Sequence, residues 1–351
     1  MNHIALENIH VDSVELLASP RKIHTDIPQT SKSMQTVLHG RDDIERILDH
    51  DDPRLLAIVG PCSIHNLEAA EEYALRLKAL SDEISDTICV VMRVYFEKPR
   101  SVLGWKGLIN DPYMNDTFCI EEGIRMARLF LRRIAEIGLP AGTELLDTLI
   151  PQYISDLIAW SAIGARTAEA QTHREIASGC SMPVGFKNGT DGSIATAINA
   201  MQAALGPHHF LGVTPDGLPA VFSTTGNPYP HLVLRGGKTP NYDADSIREC
   251  EIALKDKNLL PAIIVDCSHA NSHKKAELQA GVLENILDQM EHGNKSIRGF
   301  MLESYLEAGA QSITKDLSSL NPRVSVTDAC IGWDTTEQLL RNAHARYRAI
   351  M

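Results

Sequence analysis

The chain has no excess of basic residues. Lys plus Arg number 33 against 45 Asp plus Glu, a formal charge of −12. That balance argues against a general nucleic-acid or anionic-membrane binder, while leaving room for a local basic pocket. The seven cysteines include no CxxC pair. In a chain of 351 residues such an odd, scattered set is no disulfide framework, and a reducing compartment is expected. No apolar run approaches ~18 residues, so no membrane-spanning helix is expected. The opening MNHIALENIHVDSVELL lacks a basic segment followed by an apolar one. No secretory leader is expected there, and the cytoplasm is the expected compartment. Core-forming residues are not lacking: 44% hydrophobic and 22% charged is globular composition, not that of a disordered chain.

What is present is a rhythm. Residues 1–45 are polar without a sustained apolar period and read as an N-terminal extension, with a short helix expected at Asp42–Asp49. From Leu55 onward eight apolar runs recur: LLAIVGPC, ICVVMRVYF, PAGTELL, WSAIGAR, PVGFKN, HLVLRGG, AIIVDCSH and SIRGFMLES. Runs of this kind suit strands buried on both faces of a parallel sheet. The stretches between them fit helices, LEAAEEYALRLKAL and EEGIRMARLFLRRIAEIG most clearly, the second ending on Gly138. Alternating strand and helix gives right-handed βαβ units, and eight of them imply an α/β fold, a closed (β/α)8 TIM barrel over residues 46–351. An open doubly wound sheet is the competing architecture. HHFLGVTPDGLPAVFSTTG, about 208–226, reads as a β-hairpin inserted in a loop, turning at PDG.

Each run ends in a reactive or charged residue. In order these are Cys62, Arg93 with Lys98 and Arg100, Glu144, Arg166, Lys187, Arg235, Asp266 with His269, and Glu303. In a barrel these ends share the face where active sites are built. Any single one is explained by a buried strand meeting water; eight of eight favours a site. Arg93, Lys98, Arg100, Arg166, Lys187 and Arg235 would converge in an acidic protein, and such a cluster calls for an anionic guest with more than one anionic group. The glycines in FKNGTDG and LRGGK suit close approach to phosphate oxygens, although a plain turn explains them about as well. Cys62, His269, Glu303 and Asp328 form a mixed soft and hard donor set that suits Mn, Fe, Co or Zn. Their wide separation gives no zinc-finger spacing, and a buried Cys, a structural His and two solvated carboxylates remain the alternative.

GPCSIH (60–65), MRVYFEKPRS (92–101), GWKGLINDP (104–112), IGART (163–167), PVGFKNGTDG (183–192), LRGGKTPNY (234–242), DCSHAN (266–271) and SVTDACIGW (325–333) together resemble the type I, metal-dependent 3-deoxy-D-arabino-heptulosonate-7-phosphate (DAHP) synthases. The resemblance runs from about residue 40 to 340. It implies a transferase that condenses phosphoenolpyruvate with D-erythrose 4-phosphate, the first step of aromatic amino-acid biosynthesis. It implies one divalent metal ion per subunit on Cys62, His269, Glu303 and Asp328. Phosphoenolpyruvate would meet Arg93, Lys98, Glu144, Arg166, Lys187 and Arg235. The aldose phosphate would meet Lys98, Pro99, Arg100, Ser101 and Asp328; family members often carry Thr where this chain has Ser101. Lys98 is the candidate acid for the new hydroxyl, a role that needs a lowered pKa; Cys62, Glu144 and His269 complete the catalytic set. The resemblance also implies a homodimer or homotetramer, with residues 1–45 reaching a neighbouring subunit, and feedback by an aromatic amino acid. The extension and the SMPVGFKNG stretch look most like the tyrosine-sensitive subtype, with Asn8, Gln152, Ser181 and Phe210 as pocket candidates. Phenylalanine is the alternative effector.

Three other activities compete. An octulosonate or sialic-acid synthase also uses phosphoenolpyruvate, but the long MRVYFEKPRS and GWKGLINDP motifs favour the heptulosonate branch. A Schiff-base aldolase would need a desolvated, neutral Lys187. A catalytically dead effector-binding protein would not need the intact donor and cation sets.

Overall fold

The eight apolar runs form the eight parallel strands of a closed barrel in the computed structural model, which describes residues 6–100 and 102–351. The strands are β1 (Leu55–Gly60), β2 (Ile88–Arg93), β3 (Ala141–Glu144), β4 (Trp160–Ile163), β5 (Val184–Lys187), β8 (Pro230–Leu234), β9 (Ile263–Asp266) and β10 (Ile297–Glu303), with β6 (His209–Val213) and β7 (Pro219–Ser223) set apart. Around the barrel the order is β1-β10-β9-β8-β5-β4-β3-β2. The open doubly wound sheet is thereby excluded. β6 and β7 pair antiparallel as the expected hairpin, inserted before β8.

Helices follow the strands. α1 (Pro20–Asp26) and α2 (Ser31–Leu48) precede the barrel. α3 (Leu67–Glu83), α4 (Ile120–Glu136), α5 (Pro151–Ile154), α6 (Gln171–Ser178), α7 (Ile194–Leu205), α8 (Ala244–Asp256), α9 (Gln279–Glu291) and α10 (Trp333–Arg348) come after it begins. No helix of the described residues is long and apolar enough to cross a membrane.

The short helix expected at Asp42–Asp49 is the end of a longer one. α2 starts at Ser31 because Thr30 and Ser33 cap each other: Ser33 N–H donates to Thr30 Oγ1 at 3.2 Å, and Thr30 N–H donates to Ser33 Oγ at 2.9 Å. The helix therefore crosses residue 45, and Ile23 and Val37 are already buried. Polar composition hid this, because only one narrow stripe of each helix is covered. Residues 6–17 carry no helix or strand and are exposed.

The core has two shells, set by the strand period of two. Leu55, Ala57 and Val59 of β1 pack outward against helices, whereas Leu56 and Ile58 join Cys89, Val91, Trp160, Ala162, Val233, Ile264 and Met301 inside the barrel. Ile44, Ile47 and Leu48 of α2 belong to that inner cluster and close the N-terminal end. Trp160 fits inside because its neighbours on β3 and β5 are glycines. A Cβ at Gly142 would lie 3.1 Å from the Trp160 ring, and one at Gly185 only 2.8 Å from it. The indole N–H donates to His231 Nε2 at 2.9 Å.

Candidate active site at the open end of the barrel

The inward alternation continues to the strand ends and delivers the site. Ile58 leads through Gly60 to Cys62, Val91 to Arg93, Gly142 to Glu144 and Gly185 to Lys187. Val233 leads to Arg235, Ile264 to Asp266 and Met301 to Glu303. All lie at the C-terminal face. Cys62, Arg93, Glu144, Lys187, Asp266 and Glu303 are buried; Lys98, Arg235 and His269 are half-buried; Arg100, Arg166 and Asp328 are exposed at the rim.

One cavity of about 230 Å³ is lined by Lys98, Pro99, Arg100, Glu144, Arg166, Lys187, Arg235, His269 and Asp328. Nine of the thirteen active-site candidates thus converge; Cys62 and Glu303 do not line the cavity. Arg93 does not line it; it is fully buried, with Nη2 3.0 Å from Glu303 Oε1. Ser101 lies outside the described residues. Tyr95, Thr190, Lys274 and Thr327 also line the cavity and were not singled out from sequence. Tyr95 was legible, since it continues the alternation two residues past Arg93. Lys274 was not: it follows His269 and His273 in a loop where all three have positive φ, a conformation no residue type here announces.

Buried amides hold the strand ends in place. Asn188 Oδ1 accepts from Arg235 N–H at 2.8 Å, and its Nδ2 donates to Gly236 O at 3.0 Å. Asn271 Nδ2 donates to Asp266 O at 2.9 Å and to Leu234 O at 3.2 Å. Gln279 exchanges two bonds with the Glu303 backbone, at 2.8 and 3.0 Å. Gly236, at φ 74°, passes so close to Asn271 that a Cβ would fall 2.7 Å from its backbone nitrogen. The FKNG, LRGG and DCSHAN segments are therefore one hydrogen-bonded scaffold.

The donor atoms fit a divalent ion. Ligand atoms of Cys62, Glu303 and Asp328 lie within 4.8 Å of one another. His269 is outside that trio, but its Nε2 is 3.9 Å from Glu303 Oε1. Its other nitrogen, Nδ1, lies 2.9 Å from Asp266 Oδ2 and 2.7 Å from Ser268 Oγ. An Nδ1–H held by Asp266 leaves the Nε2 lone pair toward Glu303, the orientation a metal-binding imidazole needs.

Charge follows from these contacts. Burial opposes ionisation of Asp266, but His269 and Lys187 outweigh it and hold its pKa well below the carboxylate range. Burial likewise opposes a charged Glu303, and His269, Arg93 and Lys98 together still lower its pKa. Lys187 is raised: burial would discharge it, and Asp266 prevents that. Lys98 departs from expectation. Burial would lower its pKa, but Cys62 and Glu303 raise it instead, with Nζ 3.1 Å from Cys62 Sγ. The lowered pKa anticipated for this residue is absent: Cys62 and Glu303 outweigh burial at Lys98, although burial pushes the Cys62 thiol itself up.

Gln152, Ser181 and Phe210 come together elsewhere. They line a cavity of about 460 Å³ between the α5 and α6 region and the hairpin. Phe210 stacks on Phe222 with ring centroids 5.9 Å apart. Asn8 is not among the residues lining this cavity; it sits in the exposed N-terminal segment.

Residues 26–341 match the DAHP synthetase I family. The chain belongs to that family. The "Phospho-2-dehydro-3-deoxyheptonate aldolase, Tyr-sensitive" of Escherichia coli K12 is 50% identical over 344 residues, covering 98% of this chain and 97% of that protein. The Phe-sensitive protein of the same name and strain is 48% identical over 335 residues, covering 95% of each. The solved structure of phospho-2-dehydro-3-deoxyheptonate aldolase from Francisella tularensis SCHU S4 superposes with a TM-score of 0.95 at 41% identity, covering 97% of this chain and 99% of that one. The family match therefore spans all eight barrel strands and every strand-end residue described above.

Proposed function

We propose that this chain condenses phosphoenolpyruvate with D-erythrose 4-phosphate and water, giving DAHP and inorganic phosphate, the first step of the shikimate pathway. One observation carries the reading: Lys98, Arg100, Arg166, Lys187 and Arg235 line a single cavity beside the Cys62, Glu303 and Asp328 donor group.

Arg93, Lys98, Arg166, Lys187 and Arg235 hold the enol phosphate through its carboxylate and phosphate, with Glu144 in the same wall. Lys98, Pro99, Arg100, Ser101 and Asp328 take the aldose phosphate, Arg100 at the rim where a phosphate would stay partly solvated. Cys62, His269, Glu303 and Asp328 would hold a divalent ion, which when bound supplies Lewis-acid polarisation of a carbonyl oxygen. In the reaction C3 of phosphoenolpyruvate forms a bond to the aldehyde carbon, and the carbonyl π pair becomes a hydroxyl. The Lys98 ammonium, its pKa raised by its neighbours, stays charged beside the developing alkoxide and stabilises it, while water supplies the proton for that hydroxyl. Water adds at C2 and gives a proton to Glu144. The C2–O bond then breaks with its electrons on the departing phosphate, which takes the C2 hydroxyl proton as the ketone forms, and Glu144 returns its proton to solvent. Buried cations that stay charged through these steps stabilise the anions without reorganising.

The Schiff-base alternative fails on one contact. A lysine 3.0 Å from a buried carboxylate is an ammonium, not a nucleophilic amine. Borohydride added with substrate should therefore trap nothing.

Tyrosine feedback follows from the same reading, through the cavity that holds Gln152, Ser181 and Phe210. The likeness to the Tyr-sensitive relative supports tyrosine over phenylalanine. The exposed segment 6–17 presents Leu6, Ile9, Val11, Val14 and Leu16 to solvent, which supports an inter-subunit role for residues 1–45 in a homodimer or homotetramer.

The test is phosphate release from the two substrates with Mn²⁺, with EDTA, and with Mn²⁺ plus each aromatic amino acid. Release that needs the aldose and the metal, and that tyrosine suppresses, is the expected outcome. Release independent of the aldose phosphate would overturn the reaction; suppression by phenylalanine alone would overturn the effector.

A further inference from the structure

Tyr95 lies against three cations of the site. The Arg93 guanidinium carbon is 4.0 Å from its ring centroid, Lys98 Nζ 5.5 Å and Lys187 Nζ 6.0 Å. The residue is 1% exposed, yet it forms part of the wall of the substrate cavity. Its hydroxyl is buried and has no hydrogen-bond partner among the described residues. Arg93 Nη1 is orphaned in the same way. Buried polar groups are almost always satisfied, and leaving one unpaired costs free energy. Here two orphaned donors belong to one stacked pair: Tyr95 is part of the cavity wall, and Arg93 is buried behind it.

We propose that Tyr95 is a substrate-binding residue: its hydroxyl donates to an anionic oxygen of the enol phosphate, while its ring face holds the cations in place without neutralising them. The choice of residue type follows from the chemistry. A carboxylate at this position would pair with Arg93 and Lys187 and compete with the incoming anion. A ring quadrupole attracts the same cations but carries no net charge, so their attraction for the guest is kept. A phenol adds one donor of its own. Burial raises the Tyr95 pKa although Arg93 and Lys187 oppose it, so the hydroxyl stays protonated and able to donate.

This inference rests on reading the cavity as a phosphoenolpyruvate site, and the experiment separates the two. Wild type, Tyr95→Phe and Tyr95→Leu, each loaded with Mn²⁺, are compared by steady-state kinetics in both substrates. Phosphoenolpyruvate binding is measured by calorimetry and stability by thermal melting. Tyr95→Phe should weaken phosphoenolpyruvate about tenfold in both KM and Kd, while kcat and the aldose phosphate KM change by less than about threefold. Its melting temperature should not fall. Tyr95→Leu should weaken phosphoenolpyruvate further and melt lower, because the three cations lose their shared face. Unchanged phosphoenolpyruvate affinity in Tyr95→Phe overturns the hydroxyl contact, as does an equal rise in both KM values. Tyr95→Leu behaving like Tyr95→Phe overturns the part assigned to the ring. Wild-type protein that neither binds nor turns over phosphoenolpyruvate would instead overturn the underlying reading of the site.

Discussion

Lys187 Nζ lies 3.0 Å from Asp266 Oδ2, and both residues are buried. The same carboxylate oxygen is 2.9 Å from His269 Nδ1. One aspartate, at the end of β9, therefore anchors a lysine of the candidate site and orients a candidate metal ligand. Removing one partner of such a pair leaves an uncompensated charge in the interior. Lys187→Met should destabilise the fold by about 3 kcal/mol, and Asp266→Asn by a similar amount. The double variant should recover much of that loss in urea denaturation, because neither charge is then stranded. Turnover should not return. A double variant no more stable than either single one would mean that the two charges are not coupled.

Cys62→Ala tests the donor set. The side chain is small and buried, so the fold should survive its loss with little change in melting temperature. Metal content after dialysis should drop, and turnover should fall on the order of a hundredfold or more, since even residues that only orient a ligand cost 10–100-fold. Full metal occupancy in Cys62→Ala would remove the thiol from the site.

The barrel was legible because its strands are buried on both faces and read as apolar runs, which polar helices interrupt. The site was legible for a related reason. Each run stops where the inward alternation needs a charged residue, as Val91 gives way to Arg93 and Met301 to Glu303. What could not be read was anything set by through-space contact. The pKa of Lys98 depends on Cys62 and Glu303, both remote in sequence. The amide scaffold of Asn188, Asn241 and Asn271 joins three loops through side chains that look like ordinary turn residues. The start of α2 at Ser31 hung on a Thr–Ser cap that lacks the usual acidic partner.

Acid sensitivity should come partly from the closed end of the barrel. His231 is buried and accepts the Trp160 indole N–H at Nε2, while Nδ1 faces Tyr229 O at 3.2 Å. Burial depresses its pKa to about 4. In the unfolded chain it returns to ~6.5, so between these values the unfolded state binds more protons. Stability is then complete above pH 6.5 and is lost as the pH falls toward 4, by on the order of 3 kcal/mol from this group. Buried His65, also held at about 4, acts in the same direction. His231→Gln should therefore flatten the pH dependence of the unfolding free energy in this range by roughly half. An unchanged slope would show that His231 is not a source of the acid loss.

The cavity proposed for the effector and the one proposed for the substrates share no lining residue. They are joined along the chain instead: Glu144 ends β3 in the wall of one, and Thr148 and Leu149 line the other a few residues later. Phe210→Ala removes one ring of the stacked Phe210–Phe222 pair on the hairpin outside the barrel. It should raise the tyrosine concentration for half-inhibition by about tenfold, the order of loss expected on deleting an aromatic ring that the effector would pack against. Without tyrosine, kcat and both KM values should match the wild type. Inhibition that persists unchanged in Phe210→Ala would place the effector elsewhere, and a fall in uninhibited turnover would mean that the hairpin supports the active site directly.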